Sequence, residues 1–250
     1  MIHRVTTAGR VRMNELTRRV VAEFLGTAFL VAAVIGSGIA ASRLSPEDVG
    51  LQLLENSLAT GAALVALILA LQPVSAAFNP VVTLVERALG ALATAQAAAL
   101  IAAQVTGGIA GAVVANLMFD LDPVSISTHQ RSSGGLWLGE VVATLGLAVI
   151  IFGVVRSGRG HTVAFAVGGY ITAAYWFTSS TSFANPAVTI ARMFSDTFAG
   201  IAPGSAAIFI AMQLLGGALA FAAVKLLYPD AATLAAKITR QPTTIRAEES

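Results

Sequence analysis

The chain has 250 residues, of which 56% are hydrophobic and 11% charged, whereas about a quarter of an average soluble domain is charged. With a mean hydropathy of +0.79, this composition indicates an integral membrane protein. The net charge of +2 gives no basis for nucleic-acid binding, and the absence of cysteine excludes disulfides and thiolate metal sites. No nucleophile–base pair or ligand cluster stands out, so neither an enzyme nor a cofactor is predicted.

Six stretches are long and apolar enough to cross a bilayer, which requires roughly 20 mostly apolar residues. They are Val20–Ala41, Leu51–Gln72, Thr94–Met118, Leu136–Val155, His161–Ser179 and Gly204–Tyr228. The first is too long for the apolar core of a signal peptide and contains Glu23, so we expect it to be retained. The predicted organisation is an N-terminal tail (1–19), a first repeat (20–118), a periplasmic connecting loop (119–135), a second repeat (136–228) and a C-terminal tail (229–250).

The distribution of basic residues predicts the orientation, because cytoplasmic segments are enriched in Lys and Arg. If both termini are cytoplasmic, 12 of the 15 basic residues lie inside, and only Arg43, Arg131 and Arg192 lie outside. The opposite orientation would invert this bias. We therefore expect a multi-pass protein with both tails in the cytoplasm.

The two halves of the chain share polar positions inside their apolar spans. Glu23 in "AEFLGTAFL" and Glu140 in "GEVVATLGLAV" each precede a threonine by four residues, and Gln104 and Gln213 each precede a Gly-Gly pair by three. An Asn-Pro pair follows the second span and another follows the fifth. Since each half has three spans, an odd number, the halves must run in opposite directions across the membrane, as an inverted repeat.

The Asn-Pro segments, "FNPVVTLVER" and "ANPAVTIAR", predict two short helices that begin at Asn79 and Asn185. Asparagine is a good N-cap and proline is favoured at the first helical position. Each helix, at about ten residues, is too short to span, so the inverted repeat would bring the two N-termini together at mid-membrane. Each N-terminus carries roughly half a positive charge, which repels cations, while the asparagine amides donate to neutral solutes.

These features together resemble the major intrinsic proteins, the aquaporins and aquaglyceroporins, over about residues 17–228. The resemblance implies an all-α membrane protein with six transmembrane helices and two re-entrant half-helices in an inverted repeat, the aquaporin fold. It also implies a homotetramer in membrane lipid, with a pore for water or small neutral solutes in each protomer. The pore junction would then consist of Asn79, Pro80, Val81, Asn185, Pro186 and Ala187.

The same resemblance assigns roles to the other polar residues. Glu23 and Glu140 would accept hydrogen bonds from the segments leading to the half-helices, while Gln104 and Gln213 would either line the pore or face the helix bundle. The selectivity filter, placed by its offset from the two asparagines, would consist of Ala59, Thr60, Ala173, Ser182 and Val188. None of these is a bulky aromatic residue, although a register change of two would bring in Tyr175.

Two positions depart from the family pattern. Val81 stands where the family usually has alanine, and Val188 where most members have an arginine that narrows the filter. Arg192 lies one helical turn further on, where it would either reach back toward the pore or vestibule or face solvent or join an ion pair. Asp196 would cap the half-helix, pair with Arg192 or lie in the vestibule.

A wide filter without its arginine favours glycerol, urea, arsenous acid or similar metalloid hydroxides, alongside water. The stretch "AAYWFTSSTSFANPAVTIAR" further resembles bacterial members associated with arsenic resistance, which implies the bacterial inner membrane. The alternative is an ion-coupled secondary transporter, since such carriers also use inverted repeats and broken helices. Positive helix ends at the midplane would oppose the cation binding that a carrier of this kind needs.

Overall fold

The computed structural model describes residues 14–228, and within that range the regular structure is helical. The helices are α1 (Glu15–Leu44), α2 (Val49–Leu71), α3 (Pro80–Ala88), α4 (Thr94–Met118), α5 (Gly134–Arg156), α6 (Val163–Phe177), α7 (Pro186–Arg192) and α8 (Pro203–Leu227). Five helices that are long and apolar enough to cross a membrane, the shorter α6 and the two half-helices confirm the predicted fold class. The predictions for residues 1–13 and 229–250 fall outside the described residues.

The observed helices differ from the predicted spans mainly at the ends of α1 and α6. Helix α1 contains the predicted span Val20–Ala41 but begins earlier, at Glu15, where Asn14 caps it by accepting a hydrogen bond from the Thr17 amide (2.7 Å). This cap extends the helix through a charged turn that composition alone had assigned to the tail. Helix α6 has only 15 residues and is preceded by a 3₁₀ turn at Gly160–Thr162.

Glycines let the helices of each half pack backbone against backbone. Helix α1 packs on α4, and α5 packs on α8. A Cβ atom added at Gly107 or Gly111 of α4 would collide with the α1 backbone at Phe24 or Ala28, and one added at Gly216 of α8 would lie 2.7 Å from the Val141 carbonyl oxygen of α5. Small residues at membrane helix interfaces permit this close approach.

The two half-helices begin where the sequence predicted. The Asn79 side chain accepts a hydrogen bond from the Val81 amide (2.9 Å) at the start of α3. The Asn185 side chain accepts from the amides of Ala187 (3.0 Å) and Val188 (3.3 Å) at the start of α7. A proline occupies the first turn of each helix, where its missing N–H removes no helical hydrogen bond. With 9 and 7 residues, neither helix can span a bilayer.

The segment that leads into α3 is held by Glu23, a fully buried residue of α1. Its carboxylate accepts hydrogen bonds from the backbone amides of Ala77 (2.9 Å) and Phe78 (2.7 Å) and from the Ser75 hydroxyl (2.5 Å). Gln104 donates to the same carboxylate at 2.8 Å. The non-helical backbone thus obtains, inside the bundle, the partners that lipid cannot offer it.

Glu140 of α5 plays the equivalent part for the segment that leads into α7. It accepts from the backbone amides of Phe183 and Ala184, both at 2.9 Å, and from Gln213 at 2.6 Å. Gln213 also donates to Thr189 of α7, just as Gln104 donates to Thr83 of α3. Both glutamines therefore face the bundle and brace the half-helices.

Replacing Glu140 by glutamine is expected to destabilise the α7 approach segment. The new side chain keeps one acceptor oxygen but places an NH₂ group among three donors, which leaves a buried backbone amide unpaired at a cost of about 1–3 kcal/mol. We expect the midpoint of thermal unfolding in detergent to fall by several degrees and solute flux to fall with it. Glu47→Gln, at an exposed position, is the matched control. Equal midpoints for both variants would contradict this role.

Candidate functional site

One cavity runs through the helix bundle along both half-helices. Its volume is about 220 Å³, far above the roughly 10–15 Å³ that one water molecule requires. One end is lined by Arg19, Glu86 and Gln72, the other by Val188 and Arg192. Between these ends the walls come from α1, α2, α5 and α6 and from the two segments that lead into the half-helices.

Asn79 and Asn185 meet in the middle of this cavity through a reciprocal pair of hydrogen bonds. The Asn79 amide nitrogen donates to the Ala184 carbonyl oxygen (2.8 Å), and the Asn185 amide nitrogen donates to the Phe78 carbonyl oxygen (2.7 Å). Each asparagine thus binds the residue that precedes the other asparagine. Since an amide NH₂ group carries two hydrogens, one donor on each side chain remains for a molecule in the cavity.

The backbone before each asparagine adopts the same unusual conformation. Phe78 and Ala184 both have φ of 48°, in the left-handed region that costs an L-residue about 1–2 kcal/mol. The four hydrogen bonds that the two glutamates accept from backbone amides of these segments, together with the two from the asparagines, hold this conformation. Strain retained at both equivalent positions marks the junction as a functional element.

The other four residues predicted for the junction lie behind the cavity wall. Pro80, Val81, Pro186 and Ala187 are buried but do not line the cavity. Val81 belongs to an apolar cluster between α3, α5 and α8. The valine at this position therefore affects packing behind the junction rather than the width of the path.

At the Val188 end, three of the five residues predicted for the filter line the cavity: Thr60, Ser182 and Val188. The register was wrong for the other two. Ala59 is partly exposed and Ala173 is exposed on the outside of the bundle, and neither lines the cavity. Both alanines lie on faces that point away from the cavity: Ala59 on α2, where Thr60, Leu64 and Ile68 face inward, and Ala173 on α6.

The inward face of α6 carries Tyr175, the aromatic residue that the predicted register left out. Its hydroxyl lies 3.2 Å from the Thr60 hydroxyl, so the two side chains form a hydrogen-bonded pair at the cavity wall. Val167, Ile171 and Tyr175 all line the cavity and are spaced by four residues, which places them on one helix face. This spacing is a signal that the sequence contains and that the offset from Asn185 does not reveal.

The sequence left the position of Arg192 open, and the structure places it at the cavity. Its side chain is only 3% exposed, lines the cavity and donates through Nε to the Ala199 carbonyl. The guanidinium lies over the Phe183 ring, 3.3 Å from its centroid. Of the alternatives for Arg192, a position facing solvent or in an ion pair was wrong, because the side chain is buried in the bundle and lines the cavity.

Asp196 holds the long loop between α4 and α5 instead of pairing with Arg192. It is exposed and accepts hydrogen bonds from the backbone amide (2.9 Å) and the hydroxyl (3.2 Å) of Thr128, which lower the pKa of its carboxyl. Arg131 of the same loop donates to the Gly200 carbonyl at 3.0 Å. Burial lowers the pKa of Arg131 to about 10, so this arginine stays charged at neutral pH.

At the opposite end of the cavity the structure brings together two charged residues that the sequence analysis did not select. Arg19 and Glu86 are 9% and 6% exposed, and both line the cavity. Glu86 lies seven residues after Asn79, as Arg192 lies seven after Asn185. The equivalent positions of Glu86 and Arg192 in the two half-helices are therefore a feature of the sequence from which both could have been selected.

Comparisons with known proteins agree with this geometry. The family model described as "Major intrinsic protein" matches residues 10–162. The aquaglyceroporin AqpS of Rhizobium meliloti is 50% identical over 218 residues, which cover 87% of this chain and 93% of that protein. The lens fiber major intrinsic protein of Oryctolagus cuniculus is 30% identical over 179 residues, covering 67% of this chain and 65% of that protein.

A solved structure shares the fold. The X-ray structure of the aquaglyceroporin from Plasmodium falciparum superposes with a TM-score of 0.67 at 18% identity, covering 87% of this chain and 99% of that one. The family match extends over more than half of the chain, and the two half-helices with their paired asparagines are what a transmembrane path requires. The chain belongs to the major intrinsic protein family and is a passive membrane channel, not an enzyme.

Proposed function

We propose that this channel conducts small neutral hydroxylated solutes, with glycerol as the principal substrate and urea, arsenous acid or related hydroxides and water as further ones. The observation that carries the proposal is the two-sided lining of the cavity. Asparagine amides and hydroxyl groups lie along part of the wall, and aliphatic side chains such as Leu64, Ile68 and Leu147 lie along the rest. A polyol needs both, because its hydroxyl groups must exchange hydrogen bonds while its carbon atoms leave water.

The filter residues support solutes larger than water. Val188 is 5% exposed and lines the cavity with Thr60, Ser182 and Tyr175. A short aliphatic side chain at this position leaves more room than an arginine would. The name aquaglyceroporin, carried by a relative that is 50% identical, points to the same substrate class. Nothing in the family assignment supports the alternative of ion-coupled transport.

We further infer a homotetramer in the bacterial inner membrane with both termini cytoplasmic. The excess of basic residues in the segments on one side supports the orientation, and it makes the Arg19 end of the cavity the cytoplasmic one. Large apolar side chains are exposed around the bundle, among them Phe29, Leu58 and Trp176. Such side chains suit contact with lipid or with neighbouring protomers.

The proposal predicts the permeability of purified protein in proteoliposomes. Stopped-flow measurements should give glycerol and urea fluxes at least tenfold above those of empty vesicles, rising linearly with the solute gradient, with no sodium current. Ionophores should leave these fluxes unchanged. Uptake of arsenic from arsenous acid tests whether the channel also conducts metalloid hydroxides. A saturating glycerol flux that collapses with an ion gradient, or a sodium current, would contradict passive neutral-solute conduction.

Narrowing the filter should reduce the flux of large solutes more than that of water. In Val188→Phe the ring would extend into the cavity beside Tyr175, so we expect at least a tenfold lower glycerol flux and a smaller loss of water flux in stopped-flow assays. Val142→Phe is the control, since Val142 is exposed on the outside of the bundle. Equal glycerol fluxes in the Val188 variant and the wild type would show that Val188 lies outside the constriction.

A further inference from the structure

Both half-helices present the same three positions to the cavity. These are the asparagine and the residues three and seven positions after it: Asn79, Val82 and Glu86 on α3, and Asn185, Val188 and Arg192 on α7. Steps of three and four residues keep side chains on one helix face. Arg192 therefore shares a face with Val188 and the junction, about one turn, or roughly 6 Å, further along α7.

The guanidinium of Arg192 is held in place by the protein, but only part of its hydrogen-bonding capacity is occupied. Its Nε donates to Ala199 and its plane lies over the ring of Phe183. Within residues 14–228, no hydrogen bond from its two terminal nitrogens to protein is found. Since Arg192 lines the cavity, and a guanidinium carries five N–H donors, several donors are available to a molecule inside.

Ser182 lines the same cavity and is 3% exposed, but its Oγ atom is buried without a hydrogen-bond partner in the described structure. An atom without accessible surface does not contact a molecule in the cavity, so solute binding is not assigned to Ser182.

We propose that Arg192 is the filter cation of this channel, set one helical turn beyond the position that Val188 occupies, and that its remaining N–H groups bind solute oxygens. The proposal rests on the proposed conduction of neutral solutes and adds the residue that sets their selection. Val188 leaves the adjoining wall apolar, so the site accepts a solute that carries hydroxyl oxygens beside a carbon face. A neutral polyol such as glycerol fits this description.

The charge of the guanidinium and the geometry of its N–H donors have consequences that can be measured separately. Its charge, held in a low-dielectric wall, lowers the flux of protons and metal cations roughly tenfold at an effective dielectric near 20 and a separation of about 10 Å. Its planar set of N–H donors replaces the hydrogen bonds that a solute hydroxyl loses when it leaves water. A lysine ammonium replaces these hydrogen bonds less well. Loss of charge should therefore affect cation exclusion, and loss of the planar donors should affect the ratio of glycerol to water flux.

The test uses Arg192→Gln, which removes the charge but can still donate to Ala199, and Arg192→Lys, which keeps the charge. Arg43→Gln is the matched control, because Arg43 also donates to a carbonyl (Phe119, 2.6 Å) and lies over an aromatic ring but does not line the cavity. Proton leak is read with a trapped pH dye under a potassium diffusion potential. Solute and water fluxes are read by stopped flow.

We expect Arg192→Gln to raise the proton leak about tenfold, Arg192→Lys to keep protons out but lower the glycerol-to-water ratio severalfold, and Arg43→Gln to match the wild type. The double variant Val188→Arg/Arg192→Gln should exclude protons again.

Wild-type proton leak and flux ratio in a folded Arg192→Gln would overturn the proposal. If that variant does not assemble, an unchanged flux ratio in Arg192→Lys overturns it. Absence of glycerol flux in the wild type would instead refute the proposed function.

Discussion

The reciprocal hydrogen bonds between the two asparagines and the opposite approach segments are the interaction on which the rest of the channel depends. Asn79 holds the carbonyl of Ala184 and Asn185 holds the carbonyl of Phe78. Each side chain also caps its own half-helix, so a single amide fixes the start of one helix and the position of the other. Two helices that are too short to span are thereby joined into one continuous element through the bundle.

This junction needs support, because Phe78 and Ala184 hold an unfavourable left-handed backbone. The support comes from Glu23 and Glu140, whose buried carboxylates accept the amide hydrogens on the other side of each approach segment. The amides of these segments are thereby turned into the bundle, while the carbonyls of Phe78 and Ala184 are turned toward the junction. The direction of the backbone, set by two carboxylates outside the cavity, thus determines which polar groups surround it.

A feature of this structure can be predicted from the sequence when residues close together in the chain determine it. The spans, the Asn-Pro helix starts and the glutamates could be predicted, because length, capping and paired polar positions are local properties. The filter was not predicted fully, because Ala173 was chosen by its offset from Asn185 and not by the four-residue spacing of Val167, Ile171 and Tyr175 that marks the inward face of α6. Arg192 could not be placed from the sequence, because its long side chain reaches partners, Ala199 and Phe183, that only the fold brings near.

The inverted repeat makes the two halves alike in backbone, but the charges at the seventh position after each asparagine are opposite. Arg192 ends α7, where the helix dipole favours a cation, whereas Glu86 lies near the end of α3, where the dipole disfavours a carboxylate. Arg19 of α1 lines the same end of the cavity as Glu86. The second half thus retains a cation held by a carbonyl and an aromatic ring, while the first half holds an acid beside a base. The cavity is therefore electrostatically asymmetric although its scaffold is nearly symmetric, so a solute meets different hydrogen-bonding partners at its two ends.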